Sequence, residues 1–268
     1  MDILRTPEDG ARHLLSLHCE EIKDFSLTPS DGLLRYVEIG GKLIPFPEWR
    51  FDPRIRALYN YGSECPESIS ALNVYSFFGR ETSLCAAMYR ELDIADYILG
   101  SPIAKVTAYV NGEASNLIAL TESGTALNLE LGCTMANGAK NQCNHRLITK
   151  RGMACDMVVD TQTVSGMLNV FTSSGDEYSL DAGDIDLYPL DFDDSFRAFG
   201  LRAIVCGIVC GEDLIMSDLR SRAVLAAALV SAERGESVKV SDLSREQIDA
   251  VIRTALSVSG FRAERGAI

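Results

Sequence analysis

Residues 103–121 read Ile-Ala-Lys-Val-Thr-Ala-Tyr-Val-Asn-Gly-Glu-Ala-Ser-Asn-Leu-Ile-Ala-Leu-Thr. Val106, Ala108 and Val110 alternate with Thr107 and Tyr109, the period of two that a strand with one covered face requires. Asn111-Gly112 follows, a pair that accepts the positive φ of a tight hairpin. Asn116–Thr121 and Ala126–Thr134 read as the next strands, joined around Glu122-Ser123-Gly124. In the second of these, Leu127, Leu129 and Leu131 alternate with Asn128 and Glu130, so one face is apolar and the other polar. Asn116–Thr121 breaks the rule: Leu117, Ile118, Ala119 and Leu120 are apolar in succession, and both its faces are expected to be covered. Asn144–Thr149, Ala154–Asp160, Gly166–Thr172 and Glu177–Leu180 are further strands, with turns at Arg151-Gly152 and Ser174-Gly175. Together these segments predict a long antiparallel meander.

Upstream, Ile69–Phe77 is rich in β-branched and aromatic residues and reads as a strand. A helix over Thr82–Leu99 ends at Gly100 and Pro102. Asp52-Pro53 caps a helix to about Asn60, short strands fit Leu33–Ile39 and Lys42–Ile44, and Thr6-Pro7-Glu8 opens a helix reaching Cys19. Downstream come apolar helices over Asp194–Cys210 and Ser217–Arg234, then an extended Ser237–Val240. A last helix opens at Ser241-Asp242-Leu243-Ser244 with Ile248, Val251, Ile252 and Leu256 on one stripe, and Ala263–Ile268 is expected to fray. Strands grouped between helices define an α+β class rather than a doubly wound one.

The chain has 268 residues, 47% of them apolar, enough for a sizeable core, and a net charge of −13. That average field repels polyanions, so no nucleic-acid partner is expected. The N-terminus lacks the apolar core of a signal peptide and no run is long enough to cross a bilayer, so no membrane association and a cytoplasmic location are expected. The eight cysteines are then reduced and mostly buried, with Cys206 and Cys210 on one helix face. Cys133, Cys143 and His145 do not match a zinc-site spacing and read as strand residues. The acidic run Asp181, Asp184, Asp186, Asp191, Asp193, Asp194 departs from the calcium-loop pattern and reads as a solvated loop. No metal is expected. His145 stands inside the sheet region: either a general base oriented by Asp156 or Asp160, or a half-exposed strand histidine with a local hydrogen bond. His13 and His18 fall on the first helix and read as surface or interface residues.

Four segments resemble the C-terminal portion of the glucose–fructose oxidoreductase / inositol dehydrogenase (Gfo/Idh/MocA) family. They are Arg50-Phe51-Asp52-Pro53-Arg54-Ile55-Arg56-Ala57-Leu58, Glu91 to Pro102, Ile148 to Ala154, and Ala226 to Val240 with Ser231-Ala232 and Gly235. The resemblance implies a large, mostly antiparallel open β-sheet packed on helices, preceded by a remnant of the end of a Rossmann domain. The implied units are residues 1–80 for the remnant, 81–240 for the open-sheet domain and 241–268 for a C-terminal helix and tail.

Members of that family move a hydride between NAD(P) and a sugar, inositol or related carbonyl. Two departures bear on function. No G-x-G-x-x-G follows a strand anywhere in the sequence, so there is no glycine turn on which a pyrophosphate can approach a helix N-terminus. None of the six lysines lies in the family's Glu-Lys-Pro context. On the catalytic helix the positions matched to the family's aspartate, histidine and second aspartate are Ala86, Arg90 and Asp93. Alanine has no functional group, and a guanidinium cannot take a proton from an alcohol at neutral pH.

No residue is therefore expected to be catalytic. Arg90, Asp93, His145 and Tyr89 are the ligand-binding candidates, with Arg90 placed at the mouth of the old cleft, where it either holds an anion or forms a salt bridge to Glu91, Asp93 or a sheet carboxylate. Tyr75, Phe77, Phe78 and Tyr89 are expected to pack in the core before they stack on a sugar. The expected role is a truncated, non-catalytic relative that is a subunit or partner of a Rossmann-bearing dehydrogenase. It binds no cofactor alone, meets NAD(P) only through such a partner, and forms homo- or hetero-oligomers through the sheet face. The alternatives are a stand-alone module for a small polar ligand such as a sugar or sugar acid, and the substrate-binding part of an active dehydrogenase.

Overall fold

The computed structural model describes residues 25–64, 66–138, 141–156, 168–172, 174, 177–180 and 213–265. The expected helices at 6–19 and 194–210, the acidic run at 181–194, and His13, His18, Cys206 and Cys210 lie outside the described residues.

Three short strands, β1 (Phe25–Leu27), β2 (Arg35–Ile39) and β3 (Lys42–Phe46), form a small antiparallel sheet. A 3-10 turn over Glu48–Phe51 leads into α1 (Pro53–Ser63), whose N-cap Asp52 accepts from the Arg54 amide, as the Asp-Pro pair requires. Then follow β4 (Ile69–Gly79) and α2 (Leu84–Leu99). Gly100 closes α2 in the left-handed conformation at φ 60, so a side chain there would be strained. The sheet continues through β5 (Ile103–Asn111), β6 (Ala114–Thr121), β7 (Ala126–Met135), β8 (Gln142–Thr149), β9 (Gly152–Cys155), β10 (Leu168–Thr172) and β11 (Glu177–Leu180). Last come α3 (Leu214–Arg234), β12 (Val238–Lys239) and α4 (Arg245–Arg265).

Among the described residues the large sheet has nine strands, in the order β11-β10-β9-β8-β4-β7-β6-β5-β12. It is not a simple meander. β4 enters between β7 and β8, parallel to β7 and antiparallel to β8. The cause is visible in the burial of β4: Leu72, Val74 and Phe78 are all core, so this early strand takes a central place rather than an edge. β4 also falls on the 1–80 side of the boundary drawn between residues 80 and 81, so the sheet begins before that boundary.

Other bounds shift by a few residues. Asp213, not Ser217, caps α3, and α4 runs to Arg265, through Ala263 at the start of the tail expected to fray. Gly152 opens β9 at φ 139, where a Cβ would stand 2.0 Å from the Phe171 carbonyl oxygen, so only glycine lets β9 and β10 meet.

One face of the sheet is dry. Val106, Ala108, Leu117, Ala119, Leu127, Leu129, Leu72, Val74 and Leu147 pack there against α2 and α3. The opposite face carries Asn73, Tyr75, Asn128, Glu130 and Tyr109. β6 does not bury both its faces: Leu117 and Ala119 are inside, while Ile118 and Leu120 are 54% and 45% exposed.

Candidate functional site

α2 is the platform. It packs on the sheet beside α3 and is apolar nearly all round, burying Ala87, Met88, Leu92, Ile94, Ala95 and Ile98. Four of its polar side chains reach partners in other elements: Tyr89 in α3, Arg90 and Glu91 in β8, and Asp93 in the 3-10 turn and α3.

Asp93 turns away from Arg90. Its carboxylate accepts from the Arg50 Nε at 2.7 Å, the Trp49 Nε1 at 2.7 Å and the Ser221 hydroxyl at 3.0 Å. Arg50 also donates through Nη2 to Asp93 and to Ser217, and its guanidinium lies 5.0 Å from the centre of the Tyr97 ring. Burial alone would ease the proton off Arg50, but the charge and hydrogen bonds of Asp93, together with Asp96, outweigh it and the arginine stays cationic. This buried pair joins the 3-10 turn, α2 and α3. One turn on, Asp96 receives Arg220 of α3 at 3.1 Å.

Tyr89 is fully buried, stands edge-on to Trp49 and donates its hydroxyl to Asp218 of α3. Burial, with Asp93 and Asp218 close by, holds the phenol far above its usual range. Arg222 bridges Asp218 at 2.8 Å and Asp31 at 2.6 Å, and also donates to the Tyr36 hydroxyl at 2.8 Å. Tyr89 is therefore core and lines no cleft.

Arg90 is not free. Its Nη1 donates to Glu91 at 2.9 Å and to the Cys143 sulfur at 3.3 Å, and its guanidinium lies 5.2 Å from the centre of the Phe78 ring. Of the expected partners it takes Glu91 and not Asp93, because Asp93 is already held by Arg50. The side chain keeps 22% exposure, while Glu91 is fully buried.

His145 is the second half of the cluster. It is 1% exposed, not half-exposed, because it sits on the dry face of β8 opposite Val74. Nδ1 lies 2.6 Å from Asp156 Oδ2 and Nε2 lies 2.7 Å from Glu91 Oε2. The His145 amide donates to the other Asp156 oxygen, also at 2.6 Å. Burial pulls the imidazole pKa down, but the Asp156 and Glu91 carboxylates outweigh it and push it up to about 10. Burial would likewise raise Glu91, and Arg90 and His145 reverse that, holding it below the usual glutamate range.

The structure thus joins Arg90 and His145 through Glu91, and separates both from Asp93 and Tyr89. Ala86, half-buried on α2, brings no functional group. Asp156, rather than Asp160, is the partner of His145; Asp160 lies outside the described residues. Cys143 joins the cluster through Arg90 and not as a metal ligand, and among the described residues no group of three or more metal-binding side chains forms. Glu91 was legible only as a salt-bridge partner of Arg90; that its carboxylate is the hub, bonded to His145 as well, was not. Its signal was faint: an acidic residue where the helix pattern is otherwise apolar on the sheet side.

No family model matches the sequence, and no curated protein matches it. Solved structures do. An oxidoreductase from Agrobacterium radiobacter, in complex with NAD+, L-tartaric acid and magnesium, is 15% identical with a TM-score of 0.58 over 73% of this chain and 64% of its own. A levoglucosan dehydrogenase in complex with NADH and L-sorbose is 12% identical with a TM-score of 0.57, covering 72% and 64%. An oxidoreductase domain protein from Kribbella flavida is 14% identical with a TM-score of 0.58, covering 72% and 65%. The chain spans just under two thirds of the length of these relatives, and at such identity the likeness is one of fold. The described residues carry the fold of the Gfo/Idh/MocA-type oxidoreductases.

Proposed function

We propose that this protein is a non-catalytic, oxidoreductase-type subunit that partners a Rossmann-bearing, NAD(P)-dependent sugar or polyol dehydrogenase. The observation that carries this reading is the state of the proton-transfer positions. Ala86 offers nothing, and Arg90 is committed to Glu91 and Cys143. The one imidazole among the described residues, His145, is sealed from solvent between two carboxylates. None of these groups can accept a proton from a substrate hydroxyl at neutral pH.

Association uses the open sheet face. Tyr109, Ile118, Leu120 and Tyr75 are exposed on it, at 65%, 54%, 45% and 42%, in a density that a solvated sheet face does not need. The hydride carrier comes with the partner, and this chain alone holds neither NAD nor NADP. A small polyhydroxy compound as the substrate class of the assembly is supported by solved structures of like fold in complex with L-tartaric acid and L-sorbose.

The test is titration of the purified chain with NADH and NADPH, followed by co-purification with a Rossmann-bearing homologue from the same genome. No saturable binding below about millimolar is expected for the chain alone, and a stable complex is expected with the homologue. A micromolar Kd, about −8 kcal/mol, together with turnover of a polyol by the chain alone, would overturn the reading.

The partly exposed edge of Arg90 favours a second reading, a binding module for a small sugar acid. A thermal-shift screen with sugars, sugar acids and sugar phosphates separates it from the first: stabilisation that disappears in Arg90→Ala supports the module.

A further inference from the structure

We infer that His145 is a doubly protonated imidazolium that works as a latch, tying α2 to the end of β9. The inference is independent of the subunit reading, since it concerns how this chain holds itself together. A neutral imidazole carries one N–H and one lone pair. Here both ring nitrogens lie within 2.7 Å of a carboxylate oxygen, Asp156 on one side and Glu91 on the other. With a neutral ring, one nitrogen would face a carboxylate with lone pair against lone pair, in a place sealed from water. Two N–H donors remove that clash, and the charges then alternate along the chain of contacts: Arg90 plus, Glu91 minus, His145 plus, Asp156 minus.

The groups around the ring come from several elements. α2 contributes Glu91 and, behind it, Arg90. β4 turns the Ser76 hydroxyl toward Glu91. β8 places Cys143 beside Arg90. The start of α1 sets Asp52 and Arg54 nearby, bonded to each other, so that Arg90 feels Asp52 and Arg54 feels Asp156. Asp156 closes the string, and it is gripped three times: by the imidazole, by the His145 amide, and through its own amide to the His145 carbonyl at 3.3 Å. Removing the ring proton leaves Glu91 and Asp156 facing a ring that can satisfy only one of them. The end of β9 then loosens from β8, and Glu91 keeps its bond to Arg90. The latch is shut through the neutral range and opens at alkaline pH.

The full chain, labelled with ¹⁵N in its histidines, is titrated from about pH 6 to about pH 9, across the range in which an ordinary histidine loses its charge. Both His145 nitrogens are expected to keep the shifts of protonated imidazolium throughout. A single neutral tautomer anywhere in that range, with the proton on Glu91 or lost to water, overturns the inference. His145→Gln is then compared by amide exchange: protection of the 145 and 156 amides is expected to fall on the order of tenfold or more, with β5 and β6 unchanged. Unchanged protection at 145 and 156 overturns the latch. If His145→Gln does not fold, the titration of the unaltered chain decides alone.

Discussion

The two faces of the large sheet are built from neighbouring residues of the same strands, yet they obey different rules. Along one row of the dry face run Ala108, Leu117, Leu129, Val74 and His145. One residue further along each strand, on the outer face, run Tyr109, Asn116, Glu130, Tyr75 and Asn144. The dry face admits charge only where it is matched group by group, as with His145. The outer face accepts Glu130 without a partner in the row and leaves Ile118 and Leu120 half in water. A charge is therefore informative on the first face, and an apolar side chain on the second.

The largest effect is expected where the dry side is broken. Asp93→Ala strands the Arg50 guanidinium among α2, α3 and the 3-10 turn, and a buried pair broken on one side costs about 3–5 kcal/mol. Urea unfolding should show that loss; a cost below about 1 kcal/mol, the worth of an exposed pair, would mean Arg50 reaches water.

The pH dependence sharpens the same point. The pKa of His145 is raised from 6.5 to about 10, so its contribution to stability is fully present below 6.5 and is lost as pH rises through about 10. Glu91 is lowered from 4.5, so its contribution is present above 4.5 and is lost as pH falls below that value. Thermal unfolding across pH should fall off on both sides, and in His145→Gln the alkaline decline should shrink. A decline of the same size in the variant would assign it to other groups.

Arg90→His is intermediate. The Arg90 side chain is only partly exposed, and the change removes a donor from the fully buried Glu91, for which about 1–3 kcal/mol is expected. Under the expectation of a free guanidinium the change would have been nearly neutral, so the measured unfolding free energy separates the two. Adding Ala86→Asp should still yield no dehydrogenase activity in the chain alone.

The smallest effect on stability is expected on the outer face. Ile118→Lys should change it by about 0.5 kcal/mol or less, while shifting light scattering at micromolar concentration from an oligomer to the 29.2 kDa monomer. An unaltered chain that already scatters as a monomer removes the face from self-association.

The fold was legible where local chemistry was strong. Asn111-Gly112, Asp52-Pro53 and Gly100 mark turns and caps that depend on one or two residues, and the alternating leucines of β7 set its register. The place of β4 was not legible, because its partners are residues far along the chain and pairing order leaves no local pattern. The same holds for the site. His145 with Asp156 could be suggested from proximity in sequence, but Glu91 stands beside Arg90 on the helix and nothing local tells which way either side chain turns. Asp93 went astray for a related reason: an i,i+3 neighbour looked like its partner, while Arg50, from a segment already singled out, was the stronger one.

The insertion of β4 also sets a timetable for synthesis. Leu72 must wait for Leu127 on one side and Leu147 on the other. At roughly 5–20 residues per second, a ribosome takes several seconds to deliver both. During that interval an apolar segment has left the exit tunnel with two unpaired backbone edges, a standing invitation to cross-chain pairing. The strand that ends as the most protected in the sheet is thus the one most in need of shelter on the nascent chain, and yield in a host should respond to holdase chaperones before it responds to any change on the finished surface.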